Sequence, residues 1–162
     1  HMNKAVFLDR DGVINKERKD YVKTIDELEI FSNISKCIKD LKKNNYLVIV
    51  ITNQSAINRG LTSVQKINEI HDKIQTFLAT FNTKIDAFYF CPHRPNENCL
   101  CRKPKSELII KASNDFDIDL QSSWMIGDND SDVLSGQNAG CNGIKIKNNS
   151  DLPDIIKQIL EN

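Results

Sequence analysis

Residues 46–51, Tyr-Leu-Val-Ile-Val-Ile, are apolar without interruption and mostly β-branched. A strand with one wet face alternates apolar and polar side chains. An unbroken run instead predicts a strand covered on both faces, the situation of a central strand in a parallel sheet wrapped by helices. The rest of the chain keeps that rhythm. Lys4–Asp9, Ile85–Phe90, Ser123–Gly127 and Gly143–Ile146 read as further strands. Ile34, Cys37, Ile38 and Leu41 form one face of a helix over 33–44. Val64, Ile67, His71, Ile74, Leu78 and Phe81 make a second stripe, opened by Thr62 and Gln65 as a capping box. Helices are also predicted over 105–115, over 131–138 with a stop at Ala139-Gly140, and after Asp151 with Leu152, Ile155, Ile156, Ile159 and Leu160 inward. This alternation predicts an α/β fold, a Rossmann-like parallel sheet flanked by helices. His71 lies inside an apolar stripe and reads as a structural histidine rather than a ligand.

The size of the chain, 162 residues with 40% apolar content and four prolines, predicts one globular domain over 3–162. Lys and Arg number 22, as do Asp and Glu, so the basic excess of a nucleic-acid binder is missing. No run approaches the roughly 18–20 apolar residues that span a membrane. No charged-then-apolar leader opens the chain. The expectation is a cytoplasmic monomer acting on a small molecule, with neither nucleic acid nor membrane as partner.

Chemistry concentrates at the predicted strand ends, where open α/β sheets place their ligands. Ala5-Val6-Phe7-Leu8 runs into Asp9-Arg10-Asp11-Gly12. A calcium loop also uses Asp-x-Asp-Gly, but here a strand precedes the pair and residues 13–20 do not continue that ligand pattern. Thr52-Asn53-Gln54-Ser55 follows the most apolar strand, Arg102-Lys103-Pro104 opens a helix, and Gly127-Asp128-Asn129-Asp130-Ser131-Asp132 follows the fourth strand. Singly these are a polar strand end, a surface lysine and an acidic helix start. In this order they are an acid pair, a hydroxyl, a lysine and a third acid, the set needed to pass a phosphoryl group to a carboxylate. Adjacent carboxylates repel each other and an anionic substrate, so a magnesium ion is expected at Asp9 and Asp128, with Asp11 contributing through its backbone carbonyl. Asp9 is the candidate nucleophile and Asp11 the general acid/base. Thr52 and Lys103 would hold the phosphoryl oxygens.

A second constellation, Cys91-Pro92-His93 followed by Cys99-Leu100-Cys101, forms a loop over 91–101 with four ligands for a closed tetrahedral zinc site. Free thiols or a disulfide are the competing readings. Four protein ligands make such a zinc structural, and Arg102 and Lys103 follow it directly. Cys37 and Cys141 read as small buried residues.

The segments AVFLDRDGVIN, ITNQS, CRKP and IGDNDSD resemble the four motifs of the haloacid-dehalogenase-like phosphatases, over roughly residues 4–146. The resemblance implies an aspartyl-phosphate mechanism with magnesium, and no insertion is long enough for a large cap domain. The CPHRP and CLCRKP segments resemble the zinc-containing subgroup that holds the heptose-bisphosphate and histidinol-phosphate phosphatases. TNQSAINRG and KDYVKTIDELEIF resemble the heptose branch, which implies removal of the 7-phosphate of a heptose bisphosphate on the way to nucleotide-activated heptose. Histidinol-phosphate hydrolysis is the alternative, and a non-catalytic zinc-stabilised binding module is the alternative of another class. Carried over by position, Lys19, Asp20, Asn53, Gln54, Ser55, Arg59, Arg102 and Asn129 become candidate contacts for a phosphorylated sugar. Three departures from the heptose pattern stand out: a short His93–Cys99 loop, Ala56 for a glycine, and Asn129 where lysine is frequent.

Overall fold

The computed structural model describes residues 2–162. Its strands are β1 (Lys4–Leu8), β2 (Tyr46–Asn53), β3 (Ala87–Cys91), β4 (Trp124–Gly127) and β5 (Asn142–Lys145). Its helices are α1 (Ile34–Lys43), α2 (Val64–Ala79), α3 (Glu107–Phe116), α4 (Asp130–Ala139) and α5 (Leu152–Glu161). All strands pair in parallel in the order β3-β2-β1-β4-β5.

The continuous apolar run has the predicted consequence. Val48 and Val50 join Val6 and Leu8 against α1, α2 and α5, whereas Ile49 and Ile51 join Ala5 and Phe7 against α3. Both sets are buried, and each fully buried aliphatic side chain contributes about 1.5–3 kcal/mol. The sheet is therefore clamped from two sides, which fixes its strand ends firmly enough to carry a site.

One helix start differs from expectation. Ser63 rather than Thr62 caps α2, accepting from the Lys66 amide at 3.2 Å. Thr62 instead donates to the Lys23 carbonyl at 2.6 Å and ties down the loop after β1. The buried face of α2 is Ile67, Ile70, His71, Ile74 and Leu78. Val64 and Phe81 are exposed, Phe81 because it lies past the end of the helix at Ala79.

Pairing register places the chemistry. Leu8 lies opposite Val50 on one side and Ile126 on the other, so β1, β2 and β4 end side by side. Strand order turns back at β1, and the crevice above the C-terminal ends of β1 and β4 is where such sheets bind ligands. No inserted domain covers it. Its wall is the stretch between β1 and α1, pinned by Lys16 N–H to the Glu29 carbonyl (2.8 Å) and Phe31 N–H to the Ile14 carbonyl (3.1 Å). Val13, Ile14, Val22 and Leu28 anchor that stretch in the core. Among the described residues no helix is long and apolar enough to cross a membrane.

Candidate active site

Lys103 is buried at the centre of the crevice. Its ammonium donates to Asp9 Oδ1 at 2.9 Å and the Ile51 carbonyl at 2.8 Å, and pairs with Asp132 Oδ1 at 2.6 Å. Asn53 holds the lysine backbone from β2: its Oδ1 accepts from Lys103 N–H at 3.0 Å and its Nδ2 donates to the Lys103 carbonyl at 3.3 Å. Asp132 is also engaged at Oδ2, which accepts from Asn129 N–H at 3.0 Å in the capping box that starts α4. Asp9 Oδ1 further accepts from the Arg10 amide at 2.9 Å, which leaves Oδ2 free of any cationic or backbone donor.

One oxygen each from Asp9, Asp128 and Asp132 lies within 4.8 Å of the others. Two backbone positions permit this convergence. At Gly12 (φ +88°) a Cβ would stand 2.2 Å from Asp128 Oδ2, and at Gly127 a Cβ would stand 2.2 Å from Asp132 Oδ2. Only glycine leaves the space both carboxylates occupy.

Four carboxylates (Asp9, Asp11, Asp128, Asp132) here meet two cations (Arg10, Lys103), an excess of two negative charges when all four are ionised. Burial, with Asp132 and Asp11 nearby, pushes the Asp9 carboxyl up to about 8 against the pull of Lys103. Burial and Asp132 likewise push Asp128 up. Lys103, despite its burial, is held charged by Asp9 and Asp132. An all-oxygen donor set with two surplus negative charges fits one hard divalent cation such as magnesium. Because both Asp132 oxygens are already engaged, Asp9 and Asp128 are the side chains suited to hold it.

Asp11 has a different environment. Its Oδ1 accepts from Arg10 Nη2 and Asn15 Nδ2, both at 2.9 Å, and its Oδ2 accepts from Gln54 Nε2 at 2.9 Å. Burial alone would push this carboxyl up, but the Arg10 guanidinium and the three hydrogen-bond donors hold it below the ordinary carboxylate range. The two acids of the Asp-x-Asp pair are thus tuned in opposite directions, the pattern that separates roles within an acid pair.

A cleft of about 560 Å³ opens above these groups, lined at its base by Asp9, Asp11, Lys103 and Asp132. Of the expected substrate contacts, Lys19, Asn53, Ser55, Arg59, Arg102 and Asn129 line it. Three expected residues are placed elsewhere. Asp20 pairs with Lys23 (3.0 Å) and Arg18 (3.3 Å) on the surface, because those cations are its sequence neighbours. Gln54 is buried beneath the cleft on Asp11 and Thr52. The Thr52 hydroxyl accepts from Gln54 at 2.9 Å, so it supports the floor rather than lining the cleft. Asp11, expected near the metal, offers no side-chain oxygen to the three-acid cluster; its carboxylate is taken up by its three donors. Ala56 has no positive φ, so the turn at this position does not need a glycine.

Sequence reasoning missed Asp132, Arg10 and Glu17. Asp132 carried a signal in the Asn129-x-x-Asp132 spacing of a capping box. Arg10 carried none, since an arginine between two aspartates normally faces solvent. Glu17 lines the cleft, and partial burial together with Asp128 and Asp11 pushes its carboxyl up.

The cysteine loop closes beside Lys103. Cys91 Sγ lies 3.3 Å from His93 Nδ1 and 3.6 Å from Cys99 Sγ, and His93 Nδ1 lies 3.2 Å from Cys101 Sγ. Tetrahedral zinc at ordinary bond lengths sets edges of roughly 3.6–3.8 Å, so the four ligand atoms are nearly in place. Burial pushes the Cys91 and Cys101 thiols up, whereas the backbone amides of Arg102 and Cys101 pull the Cys99 thiol down to about 7 against its burial, so Cys99 most readily supplies the thiolate a metal requires. Arg102 reaches back to the His93 carbonyl at 3.3 Å, linking the loop to the cleft.

The chain is similar to known proteins. The family described as HAD-hydrolase-like matches residues 100–159. The D-glycero-β-D-manno-heptose-1,7-bisphosphate 7-phosphatase of Helicobacter pylori strain J99 is 43% identical over 148 residues, 91% of this chain and 82% of that protein. The D-glycero-α-D-manno-heptose-1,7-bisphosphate 7-phosphatase of Campylobacter jejuni is 43% identical over 136 residues, 84% of this chain and 77% of that protein. The crystal structure of the D,D-heptose 1,7-bisphosphate phosphatase of B. bronchiseptica, complexed with magnesium and phosphate, superposes with a TM-score of 0.92 at 31% identity and covers 98% of each chain.

Proposed function

This chain belongs to the haloacid-dehalogenase-like phosphatases, in the group of the heptose-1,7-bisphosphate 7-phosphatases, and from that premise we propose that it removes the 7-phosphate of D-glycero-D-manno-heptose 1,7-bisphosphate through a phosphorylated aspartate, on the way to nucleotide-activated heptose. The observation that carries the reading is the contrast at the cleft floor. Asp9 has a free oxygen beside Lys103, Asp128 and Asp132, while Asp11, two residues away, is locked in place by three donors.

A carboxylate oxygen of Asp9 attacks phosphorus as the bond to the sugar oxygen breaks, and Asp11 delivers a proton to the departing alkoxide. In the free site Asp11 is ionised; an arriving phosphate, anionic and water-excluding, pushes its carboxyl upward so that it carries the proton it will donate. Once the sugar has left, the Asp11 carboxylate takes a proton from water as the water attacks phosphorus, and Asp9 is released with inorganic phosphate. Lys103 stays fixed between Asp9, the Ile51 carbonyl and Asp132, and its charge beside Asp9 offsets the negative charge of the phosphoryl group. Asp9 and Asp128, with the backbone carbonyl of Asp11, would hold magnesium, which would neutralise part of the charge of the anionic phosphoryl group.

Lys19, Arg59 and Arg102 on the cleft wall are the cations suited to the sugar and its distal phosphate. Zinc in the Cys91, His93, Cys99 and Cys101 cluster would hold the loop that carries Arg102 and Lys103. The short His93–Cys99 loop is the observation that favours histidinol phosphate instead, so both substrates belong in one assay. Turnover measured in parallel should give the higher kcat/KM on the heptose bisphosphate; a higher value on histidinol phosphate overturns the heptose assignment. No turnover of either, in protein loaded with magnesium, would favour a zinc-stabilised binding module.

A further inference from the structure

Arg10 is a fully buried arginine inside the nucleophile motif, and no step described so far uses its side chain directly. Its Nη2 donates to Asp11 Oδ1 at 2.9 Å, its Nη1 meets His71 Nε2 at 3.2 Å, and its Nε has no partner among the described residues. His71 projects from α2 and stacks on Phe88 of β3, with ring centroids 4.2 Å apart and planes 13° from parallel. A guanidinium has only donors, so His71 Nε2 is the acceptor and the imidazole is neutral. Burial and the neighbouring Arg10 charge push the His71 pKa down to about 3, in keeping with that neutral ring.

We propose that the Arg10–His71 pair is a positioning device for the general acid/base: α2 and β3 hold His71, His71 aims Arg10, and Arg10 with Gln54 and Asn15 fixes the Asp11 carboxyl toward the leaving-group oxygen. A buried arginine with one unpaired nitrogen costs stability that an apolar side chain of similar volume would not. Its place within the motif is explained if it orients the group that moves the proton. The proposal rests on the reading of Asp11 as acid and base. As the Asp9–phosphorus bond forms and the phosphorus–oxygen bond breaks, the bonding pair goes to the sugar oxygen and the proton goes to that oxygen from Asp11. A misaimed Asp11 hinders the departure of an alkoxide and leaves the departure of nitrophenolate, which needs no proton, nearly unaffected.

The test is the ratio of kcat/KM on the heptose bisphosphate to kcat/KM on 4-nitrophenyl phosphate. Each value covers steps only up to leaving-group departure, and the ratio is independent of the fraction of protein that folds. Arg10→Met and His71→Phe should lower the ratio about tenfold or more, part of the 10²–10⁴-fold that a general acid supplies. His71→Gln, which keeps an acceptor for Arg10, should restore it. Should Arg10→Met fail to fold, the two His71 variants decide alone. A parallel fall on both substrates would make the pair a packing feature only and overturn the proposal. Asp11→Asn serves as the reference. If it too fails to lower the ratio, the acid role of Asp11 falls and the positioning role with it. If it lowers the ratio while the His71 variants do not, only the positioning role falls.

Discussion

At Asp9 one ammonium serves two carboxylates, and the surplus charge is what makes the residue reactive toward a cation and a phosphoryl group. Asp9→Asn keeps the size of the side chain and removes both the nucleophile and a metal ligand. Turnover should fall by at least about 10⁴-fold, as for other enzymes deprived of a nucleophile, with the circular dichroism spectrum unchanged. Retained turnover would reassign the nucleophile. Gly12 bears on the same charge from the backbone side. In Gly12→Ala the new Cβ meets Asp128 Oδ2 at 2.2 Å and the φ of +88° is strained for alanine. The variant should lose about 1–3 kcal/mol of stability and need more magnesium for half-maximal activity. Calorimetric titration with magnesium would detect this, and unchanged affinity would separate Asp128 from the metal site.

At the level of elements, the loop over 91–101 has little apolar surface of its own, with Leu100 exposed at its tip. It is tied to the rest of the molecule by Gln54 N–H to the Cys91 carbonyl at 2.8 Å, Asn58 N–H to the Pro92 carbonyl at 3.3 Å and Asn58 Nδ2 to Glu97 at 3.1 Å. Purified protein should contain about one zinc per chain, as a four-ligand site binds a single ion. Cys101→Ser should lower the melting temperature and reduce kcat roughly 10- to 100-fold, because the residues that carry Arg102 and Lys103 lose their anchor. Metal analysis and steady-state kinetics check both statements, and a zinc-free protein with full activity would refute them. The elements themselves were largely legible, because burial on both faces leaves an unmistakable apolar run in β2 and helices covering a sheet must repeat every three or four residues. The cap of α2 was not, since Thr62 and Ser63 are equally good caps and only the contact of Thr62 with the Lys23 carbonyl, 39 residues away, separates them. Within the site, Asp9 and Asp128 stood out by residue type at strand ends and Lys103 by its place just before a helix. Arg10 and the inward turn of Gln54 were hidden, because each is defined by a partner distant in sequence, His71 and Asp11, whereas Asp132 was signalled as a cap residue but not as the partner of Lys103.

The whole molecule is electrically balanced, with 22 residues of each sign, yet the floor of its cleft gathers four carboxylates against two cations over the C-terminal ends of β1 and β4. This imbalance links stability to pH. In metal-free protein the folded Asp9 carboxyl keeps its proton from the ordinary value of 3.8 up to about 8, where the unfolded chain has already lost it. The folded state then binds more protons, so the stability due to Asp9 is fully present below 3.8 and is lost as pH rises through about 8. Asp11 has the opposite sign: its lowered pKa contributes stability above the ordinary carboxylate range, lost on acidification. Melting temperatures of metal-free protein should decline across the Asp9 window, Asp9→Asn should flatten the decline, and magnesium should reverse it by binding the ionised form. A melting temperature insensitive to magnesium throughout would leave the surplus charge without its counter-ion. The most direct measurement is on the phosphorylated enzyme itself. Asp11→Asn, mixed with 4-nitrophenyl phosphate labelled at phosphorus and quenched in acid, should release a stoichiometric burst of nitrophenol and retain the label on the peptide containing Asp9, from which hydroxylamine removes it. A burst with the label on another residue, or turnover with none on the protein, would contradict phosphoryl transfer to Asp9.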